Sequence, residues 1–286
     1  MEQEFKIEVI KSIKRLPTLP IIFEKVLETI DDPMSSARIL EDTIKNDQSI
    51  SAKVLSMANS AYYGYSKRVS DLSRAIVILG FDMVKNIALS VSVFGMFPQD
   101  NEDTHFDKSK FWLHSIGCGY MGKIIANTID YYEPDKAFIA CLLHDIGKVV
   151  LSSHFEKDFL DAIDLMKKND ITLREAEKEI FDFDHSEVGN WLGEKWDFPE
   201  ELLGAIKYHH SPSLSPKRHK QLTYITYVSN IIIQEEEIGV GGSKLPVSYE
   251  DDAKRILQLD SSKLKAVREE ITGMREKLET LLQVMS

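Results

Sequence analysis

The chain has 286 residues, 43% of them hydrophobic and 28% charged, which is the balance of an ordinary folded protein with a sizeable core. A formal net charge of -11 excludes a general basic footprint for nucleic acid and disfavours docking on an anionic membrane surface. The N-terminal residues lack the apolar core of a signal peptide, and the two cysteines lie in apolar segments. We therefore expect a cytoplasmic protein with reduced, buried thiols, and neither nucleic acid nor a membrane as its partner.

Apolar residues recur at intervals of three and four along most of the chain, which is the helical period. Near the N-terminus, Ile22 and Val26 begin one such stripe, and Ile76, Leu79 and Met83 belong to a later one. All prolines can be placed between helical patterns or in their first turns. Strict alternation, which is typical of half-buried strands, is nowhere sustained. The pattern predicts an all-α fold, a bundle of many helices.

Two breaks divide the predicted helices into three domains. The polar, acidic segment 98–107 (PQDNEDTHFD) follows a first helical domain, predicted over residues 1–98. A second helical domain, predicted over residues 105–237, ends at segment 238–248, which contains two adjacent glycines. Residues 248–286 then resume a helical pattern and form the third domain.

The last predicted helix carries an apolar stripe whose steps alternate between three and four residues, as in the seam of a coiled coil. Two interpretations follow. The helix docks on the protein's own core, which is the commoner outcome for so short a heptad run, or it joins two copies of the chain into a homo-oligomer. The residues of the stripe are Leu264, Val267, Ile271, Met274, Leu278, Leu281 and Met285.

Histidines fall on the inner faces of separate predicted helices in the second domain, and Asp145 follows the apolar run 137–143. A buried carboxylate such as Asp145 is unfavourable unless a cation or strong donors meet it. Each inward histidine taken alone is more simply a hydrogen-bonded core residue, but the whole set predicts one site for a divalent transition metal. The predicted metal ligands are His114, His144, Asp145, His185, His209, His210 and Asn230.

Several segments resemble known families. Residues 142–151 (LLHDIGKVVL), 184–196 (DHSEVGNWLGEKW) and 206–212 (IKYHHSP) resemble motifs of the HD superfamily of metal-dependent phosphohydrolases, particularly its HD-GYP branch. Residues 16–20 (LPTLP), 46–64 (NDQSISAKVLSMANSAYYG) and 75–80 (AIVILG) resemble the HDOD domain, an HD-related output module of bacterial regulatory proteins. Together these motifs run in the expected order from about Leu16 to Asn230.

Two features depart from the HD pattern. Its final aspartate corresponds to Asn230, and the segment 211–220 (SPSLSPKRHK), which has no glycine, replaces the GYP loop. Asp145 is then the only obvious carboxylate ligand, which weakens a site for two ions and favours a single Fe, Mn, Zn or Ni ion. If the site is active, Asp145 and Lys148 are the catalytic candidates, although Lys148 is equally well interpreted as a surface lysine.

The HDOD resemblance implies a cytoplasmic, bacterial signal-transduction protein that binds signalling proteins without turnover, in networks such as motility, stress or cyclic-nucleotide signalling. One alternative is a metal-dependent phosphohydrolase or phosphodiesterase that acts on nucleotides or cyclic dinucleotides. A second alternative is a sensor that binds a nucleotide or a metal ion without hydrolysing anything.

Overall fold

A computed structural model of the chain describes residues 18–31, 36–65, 68–96, 107–239 and 249–285. Within these ranges the chain is helical almost throughout and contains no β-strand, which confirms the all-α prediction. The first residues of the LPTLP motif and most of the two predicted breaks lie outside the described residues.

Contacts between Cα atoms divide the chain into two compact units. The larger unit contains the described residues of Gln99–Gly273, and the smaller unit contains those of Pro17–Pro98 and Met274–Ser286. The residues predicted as a third domain are therefore shared between the two units. The first helices of the smaller unit are α1 (Ile21–Asp31), α2 (Ala37–Ile44), α3 (Gln48–Ala58), α4 (Leu72–Leu79) and α5 (Phe81–Phe94).

The larger unit contains the histidine-rich motifs. Its helices are α6 (Lys108–Thr128), α7 (Pro134–Leu143), α8 (Ile146–His154), α9 (Glu156–Asn169), α10 (Leu173–Phe181), α11 (His185–Lys195), α12 (Glu200–Tyr208), α13 (Lys220–Glu235), α14 (Glu250–Leu257) and α15 (Ser261–Gly273). Helix α6 packs on α7 and α13, α8 packs on α11, and α12 packs between α11 and α13. Residues 212–214 and 217–219, in the segment that replaces the GYP loop, form short 3₁₀ turns.

A missing side chain lets α8 and α11 approach closely. A Cβ atom on Gly147 would lie 2.0 Å from the carbonyl oxygen of His185 and 2.7 Å from the amide nitrogen of Gly189. Real Cβ atoms do not come so near to other heavy atoms, so only glycine fits at position 147 without moving the helices apart. This close crossing positions the first turn of α11 beside the start of α8.

The apolar stripe at the C-terminus is divided between two helices. Helix α15 buries Leu264, Val267 and Ile271 and packs on α6, and the chain then turns at Met274. Helix α16 (Arg275–Met285) buries Leu278 and Leu281 and packs on α3. The prediction of one continuous helix is therefore wrong, and both buried faces contact the chain's own helices. Association of two copies stays a prediction.

One stretch of the described chain is long and apolar enough to cross a membrane, namely Pro134–His154. However, 83% of its most apolar window is buried inside the protein, as in a core helix. The stretches Leu72–Leu79 and Phe81–Phe94 meet the same test only when they are counted as one span, and the two helices are bent by 110°.

Candidate metal centre

The predicted ligands come from separate elements of the larger unit. His114 lies in the middle of α6, and His144 and Asp145 form the turn between α7 and α8. His185 is the first residue of α11, and His209 follows the last residue of α12. All five side chains are fully buried. The fold therefore brings to one place residues that are as many as 95 positions apart in the sequence.

The Asp145 carboxylate is surrounded by imidazole nitrogens. Its Oδ1 atom lies 3.2 Å from Nε2 of His185 and 3.4 Å from Nε2 of His209. Its Oδ2 atom lies 3.3 Å from Nε2 of His144 and 4.0 Å from Nε2 of His114. For a tetrahedral ion bound by nitrogen and oxygen at about 2.0–2.1 Å, neighbouring donor atoms lie about 3.3–3.4 Å apart. The three shorter distances therefore fit a metal ion placed among these atoms.

The remaining two predicted ligands lie at the edges of the cluster. His210 is partly exposed, and its Nε2 atom lies 2.8 Å from Nε2 of His185. Asn230 lies beside His114 on the neighbouring α13, but its Oδ1 atom already accepts a 2.5 Å hydrogen bond from Gln234. The structure thus places His210 among the donor atoms and gives the Asn230 oxygen another partner.

Backbone contacts orient two of the histidines. Nδ1 of His144 lies 2.7 Å from the carbonyl oxygen of Cys141, and Nδ1 of His209 lies 2.7 Å from that of Ile206. A carbonyl oxygen only accepts hydrogen bonds, so each Nδ1 carries the proton and each Nε2 turns a lone pair towards Asp145. Both Nε2 atoms, together with Oδ1 of Asp145, are buried without a hydrogen-bond partner. This is the arrangement of metal-binding imidazoles, whose other nitrogen is held by a backbone carbonyl.

Glu177 supports the site, and our sequence interpretation missed it. Its Oε2 atom accepts hydrogen bonds from Nδ1 of His185, at 2.5 Å, and from the backbone nitrogen of His185, at 2.9 Å. The residue lies on α10 and is fully buried. Leu173, Glu177 and Phe181 are four residues apart and share the inner face of that helix. A carboxylate in the middle of an apolar stripe was the signal that could have identified it.

Lys148 is buried, so its interpretation as a surface lysine is wrong. Its ammonium group lies 2.5 Å from Oδ2 of Asp145. Burial alone raises the pKa of the Asp145 carboxyl, but its interactions with His144 and Lys148 outweigh this effect and hold the pKa well below its usual range. Asp145 is therefore a carboxylate at neutral pH.

Burial sets the protonation of most of the imidazoles. Burial, together with the nearby His144, outweighs the opposing effect of Asp145 and lowers the pKa of His209 to about 4 and that of His114 to about 3. These two side chains are therefore neutral at pH 7 and able to donate a lone pair to a metal ion. Burial also lowers the pKa of His185, but the Glu177 carboxylate outweighs it and raises the value to about 9.

Asp184 begins α11 and so positions His185. Its side chain accepts hydrogen bonds from the backbone nitrogens of Ser186, at 3.0 Å, and Glu187, at 3.2 Å, as an N-cap does. Nε of Arg174 lies 2.7 Å from the same carboxylate. Burial raises the pKa of Asp184, but the charges of His185 and Arg174 outweigh it and hold that pKa well below its usual range.

The helical fold, together with a cluster of histidines around one aspartate, defines the HD-related class of helical proteins that the sequence motifs indicate. Within this class the chain belongs to the HDOD domain family, whose model matches residues 16–212, more than half of the chain.

Three solved structures share the fold. An HDOD domain protein of unknown function from Geobacter sulfurreducens is 23% identical, with a TM-score of 0.76 over 94% of this chain and 97% of that chain. A candidate signal transduction protein from Marinobacter aquaeolei VT8 is 22% identical, with a TM-score of 0.81 over 99% of this chain and 66% of that chain. A candidate phosphohydrolase from Shewanella amazonensis SB2B is 20% identical, with a TM-score of 0.72 over 98% of each chain.

A curated relative, an uncharacterized protein from Treponema pallidum (strain Nichols), is 25% identical over 223 residues, or 78% of this chain. The chain spans only 43% of the length of that relative. At the identities of the three solved structures, their likeness to this chain concerns the fold alone.

Proposed function

We propose that this HDOD protein is a bacterial signalling protein that binds one divalent transition-metal ion and acts on partner proteins without turnover. The observation that carries the metal site is the convergence of buried donor atoms without hydrogen-bond partners, Nε2 of His144, Nε2 of His209 and Oδ1 of Asp145. Lone pairs that face one another inside a protein are unfavourable unless a proton or a cation lies between them. A metal ion among these atoms satisfies all of them.

The donor set favours particular ions. Imidazole nitrogens predominate, and such sites suit Fe, Zn and Ni; the carboxylate of Asp145 also suits Mn, whereas Mg and Ca require mostly oxygen ligands. We therefore expect Fe, Mn, Zn or Ni. When bound, the ion neutralises Asp145 and links α6, α11, α12 and the turn between α7 and α8. These elements also pack on one another directly, so the ion adds to contacts that already exist, and the occupied state of the larger unit is the more stable one.

The absence of turnover is proposed from the closure of the site. A catalytic metal keeps a coordination position open for water or substrate. Here His114, His144, Asp145, His185 and His209 are fully buried, and His210 alone among the histidines of the cluster is partly exposed. The ammonium group of Lys148 is in addition buried and engaged with Asp145.

The proposed action on signalling proteins comes from family membership and from the fold shared with the candidate signal transduction protein of Marinobacter aquaeolei VT8. A reducing cytoplasm is the compartment that suits the two buried free thiols, Cys118 and Cys141. Participation in motility or another named network stays a prediction.

A metal-dependent phosphohydrolase is the second candidate, favoured by the histidine–aspartate cluster and by the fold shared with the candidate phosphohydrolase of Shewanella amazonensis SB2B. Its substrates would be nucleotides or cyclic dinucleotides. Hydrolysis by the wild type that is lost in Asp145→Ala would establish this function in place of ours. Binding of the same nucleotides without hydrolysis would instead identify a sensor.

The metal site is tested by thermal unfolding during titration with each of the four ions. A ligand that binds only the folded state at 100 times its Kd stabilises that state by about 2.7 kcal/mol. We expect this gain in the wild type and in Asp161→Ala, an exposed aspartate of α9, but not in Asp145→Ala. No gain with any ion in the wild type would contradict the proposal.

A further inference from the structure

Cys118 lies beside the metal centre, although it was not among the predicted ligands. It follows His114 by one turn of α6 and is fully buried. Its Sγ atom lies 3.5 Å from Nε2 of His114. The donor atoms of Cys118, His114 and His144 all lie within 4.8 Å of one another. This group faces the Oδ2 side of Asp145, whereas His185 and His209 face the Oδ1 side.

We propose that Cys118 is a further, thiolate ligand of the same metal ion, which it approaches from the side of the centre that holds His114 and His144. This inference rests on the metal site proposed above and specifies its chemistry. The thiol proton leaves to solvent as the metal–sulfur bond forms, so a neutral thiol becomes an anionic ligand without any redox change.

The geometry fits such a ligand. With a metal–sulfur bond of about 2.3 Å and a metal–nitrogen bond of about 2.0–2.1 Å, sulfur and nitrogen of a tetrahedral ion lie about 3.6 Å apart. The observed separation of Cys118 Sγ and His114 Nε2 is 3.5 Å. A thiol–imidazole hydrogen bond would give the same separation, but it leaves Nε2 of His144 buried without a partner. A metal ion satisfies that nitrogen as well as the sulfur.

The charges give a second reason. Asn230 stands where an acidic ligand was expected, and an amide neutralises no cation charge. The opposite charges of the buried Lys148 and Glu177 cancel, so Asp145 leaves one positive charge of a divalent ion unbalanced. A thiolate at Cys118 supplies the second charge and balances the site. Since thiolates favour soft and borderline metals, the site should prefer Zn and Fe over Mn.

Cobalt provides the test, because a thiolate bound to Co²⁺ gives a near-ultraviolet charge-transfer band that imidazole and carboxylate ligands do not give. The full-length wild type loaded with Co²⁺ should show this band. Cys118→Ser and Cys118→Ala should lose this band and retain the visible ligand-field bands. They should also bind Zn²⁺ roughly tenfold or more weakly, because even residues that only hold a metal ligand in place contribute about tenfold to metal affinity. Cys141→Ser is the matched control, because Cys141 is also a buried free thiol and its Sγ donates to Thr226.

Four outcomes are distinguishable. Loss of the band in the two Cys118 variants, but not in Cys141→Ser, supports the inference. Retention of the band in Cys118→Ser, or its loss in Cys141→Ser instead, overturns it. Ligand-field bands without a charge-transfer band in the wild type overturn the thiolate and leave the metal site in place. No cobalt binding at all refutes the proposed metal site itself.

A measurement on the wild type alone covers the case in which the Cys118 variants do not fold. X-ray absorption of the zinc-loaded protein should show one sulfur scatterer at about 2.3 Å from the metal. Absence of sulfur from the zinc environment would overturn the inference.

Discussion

The substitution Glu177→Gln tests the centre without removing any proposed metal ligand. Oε2 of Glu177 accepts two hydrogen bonds from His185, at 2.5 Å and 2.9 Å, and Oε1 is buried without a hydrogen-bond partner. Glutamine has nearly the same shape, so the substitution removes charge and one acceptor rather than volume. Any effect on metal binding must then act through His185.

Both orientations of the new amide are unfavourable. If its oxygen faces His185, the hydrogen bonds persist, but the NH₂ group takes the buried position of Oε1, which has no hydrogen-bond partner in the wild type. If its NH₂ group faces His185, two buried donors lose their acceptor. Each unsatisfied buried group lowers the free energy of unfolding by about 1–3 kcal/mol, so we expect at least that loss.

The loss of metal affinity has its own magnitude. Groups that hold the second nitrogen of a metal-bound histidine contribute about 10–100-fold to affinity, which equals about 1.4–2.7 kcal/mol. Competition against a chromogenic chelator measures the affinity, and urea unfolding of the metal-free protein measures the stability. Glu179→Gln, an exposed change on the same helix, should alter neither quantity. A Glu177→Gln protein that is less stable but binds zinc within twofold of the wild type would refute this role of Glu177.

Two further substitutions test the elements that support the site. Gly147→Ala places a methyl group 2.0 Å from the carbonyl oxygen of the first residue of α11, and overpacking of this kind lowers stability by about 1–3 kcal/mol. The control is Gly273→Ala, where a Cβ meets nothing within 4 Å, and it should be neutral or stabilising when unfolding is measured in urea. Equal stability of Gly147→Ala and Gly273→Ala would contradict the close approach of α8 and α11. Asp184→Asn keeps an N-cap side chain but removes a buried charge, so it should lower stability by about 2–3 kcal/mol at pH 7. The pKa of Asp184 is lower in the folded than in the unfolded protein, so its contribution to the free energy of unfolding is complete above about pH 4 and declines as the pH falls further. The difference in stability between Asp184→Asn and the wild type should therefore shrink below about pH 4. The exposed control Asp182→Asn should show no such pH dependence.

The inward positions of the histidines could be predicted because each one continues an apolar stripe of helical period. The side chain of His114 shares its face with Cys118, and His185 shares its face with Val188 and Leu192, all of which are buried. The period of a helix determines which side chains face the core, and the core of the larger unit is where these helices meet.

The partner of Glu177 and the direction of Lys148 could not be predicted in the same way. A charged residue is usually exposed, and only the turn between α10 and α11 brings Glu177 beside His185. Lys148 follows a break at residues 144–145, where α7 ends and α8 begins, so the period of the apolar run before it does not predict its direction.

The division of the C-terminal stripe has a related cause. Heptad spacing continues unchanged through Gly273 and Met274. The sequence pattern is therefore the same for one continuous helix and for two helices that have different packing partners. Glycine lowers helix propensity at the point of the break, but it does not by itself specify one. Only the contacts of α15 with α6 and of α16 with α3 distinguish the two arrangements.

Anomalous X-ray scattering from crystals of the zinc-loaded protein tests the central claim most directly. The histidine–aspartate cluster should give one strong peak at the zinc edge, within bonding distance of Asp145 and the neighbouring imidazole nitrogens. That peak should be missing from crystals of Asp145→Ala grown under the same conditions. Crystals of fully loaded wild type with no peak in the cluster, or with zinc bound only at surface residues, would contradict the claim that this HDOD protein contains a metal centre.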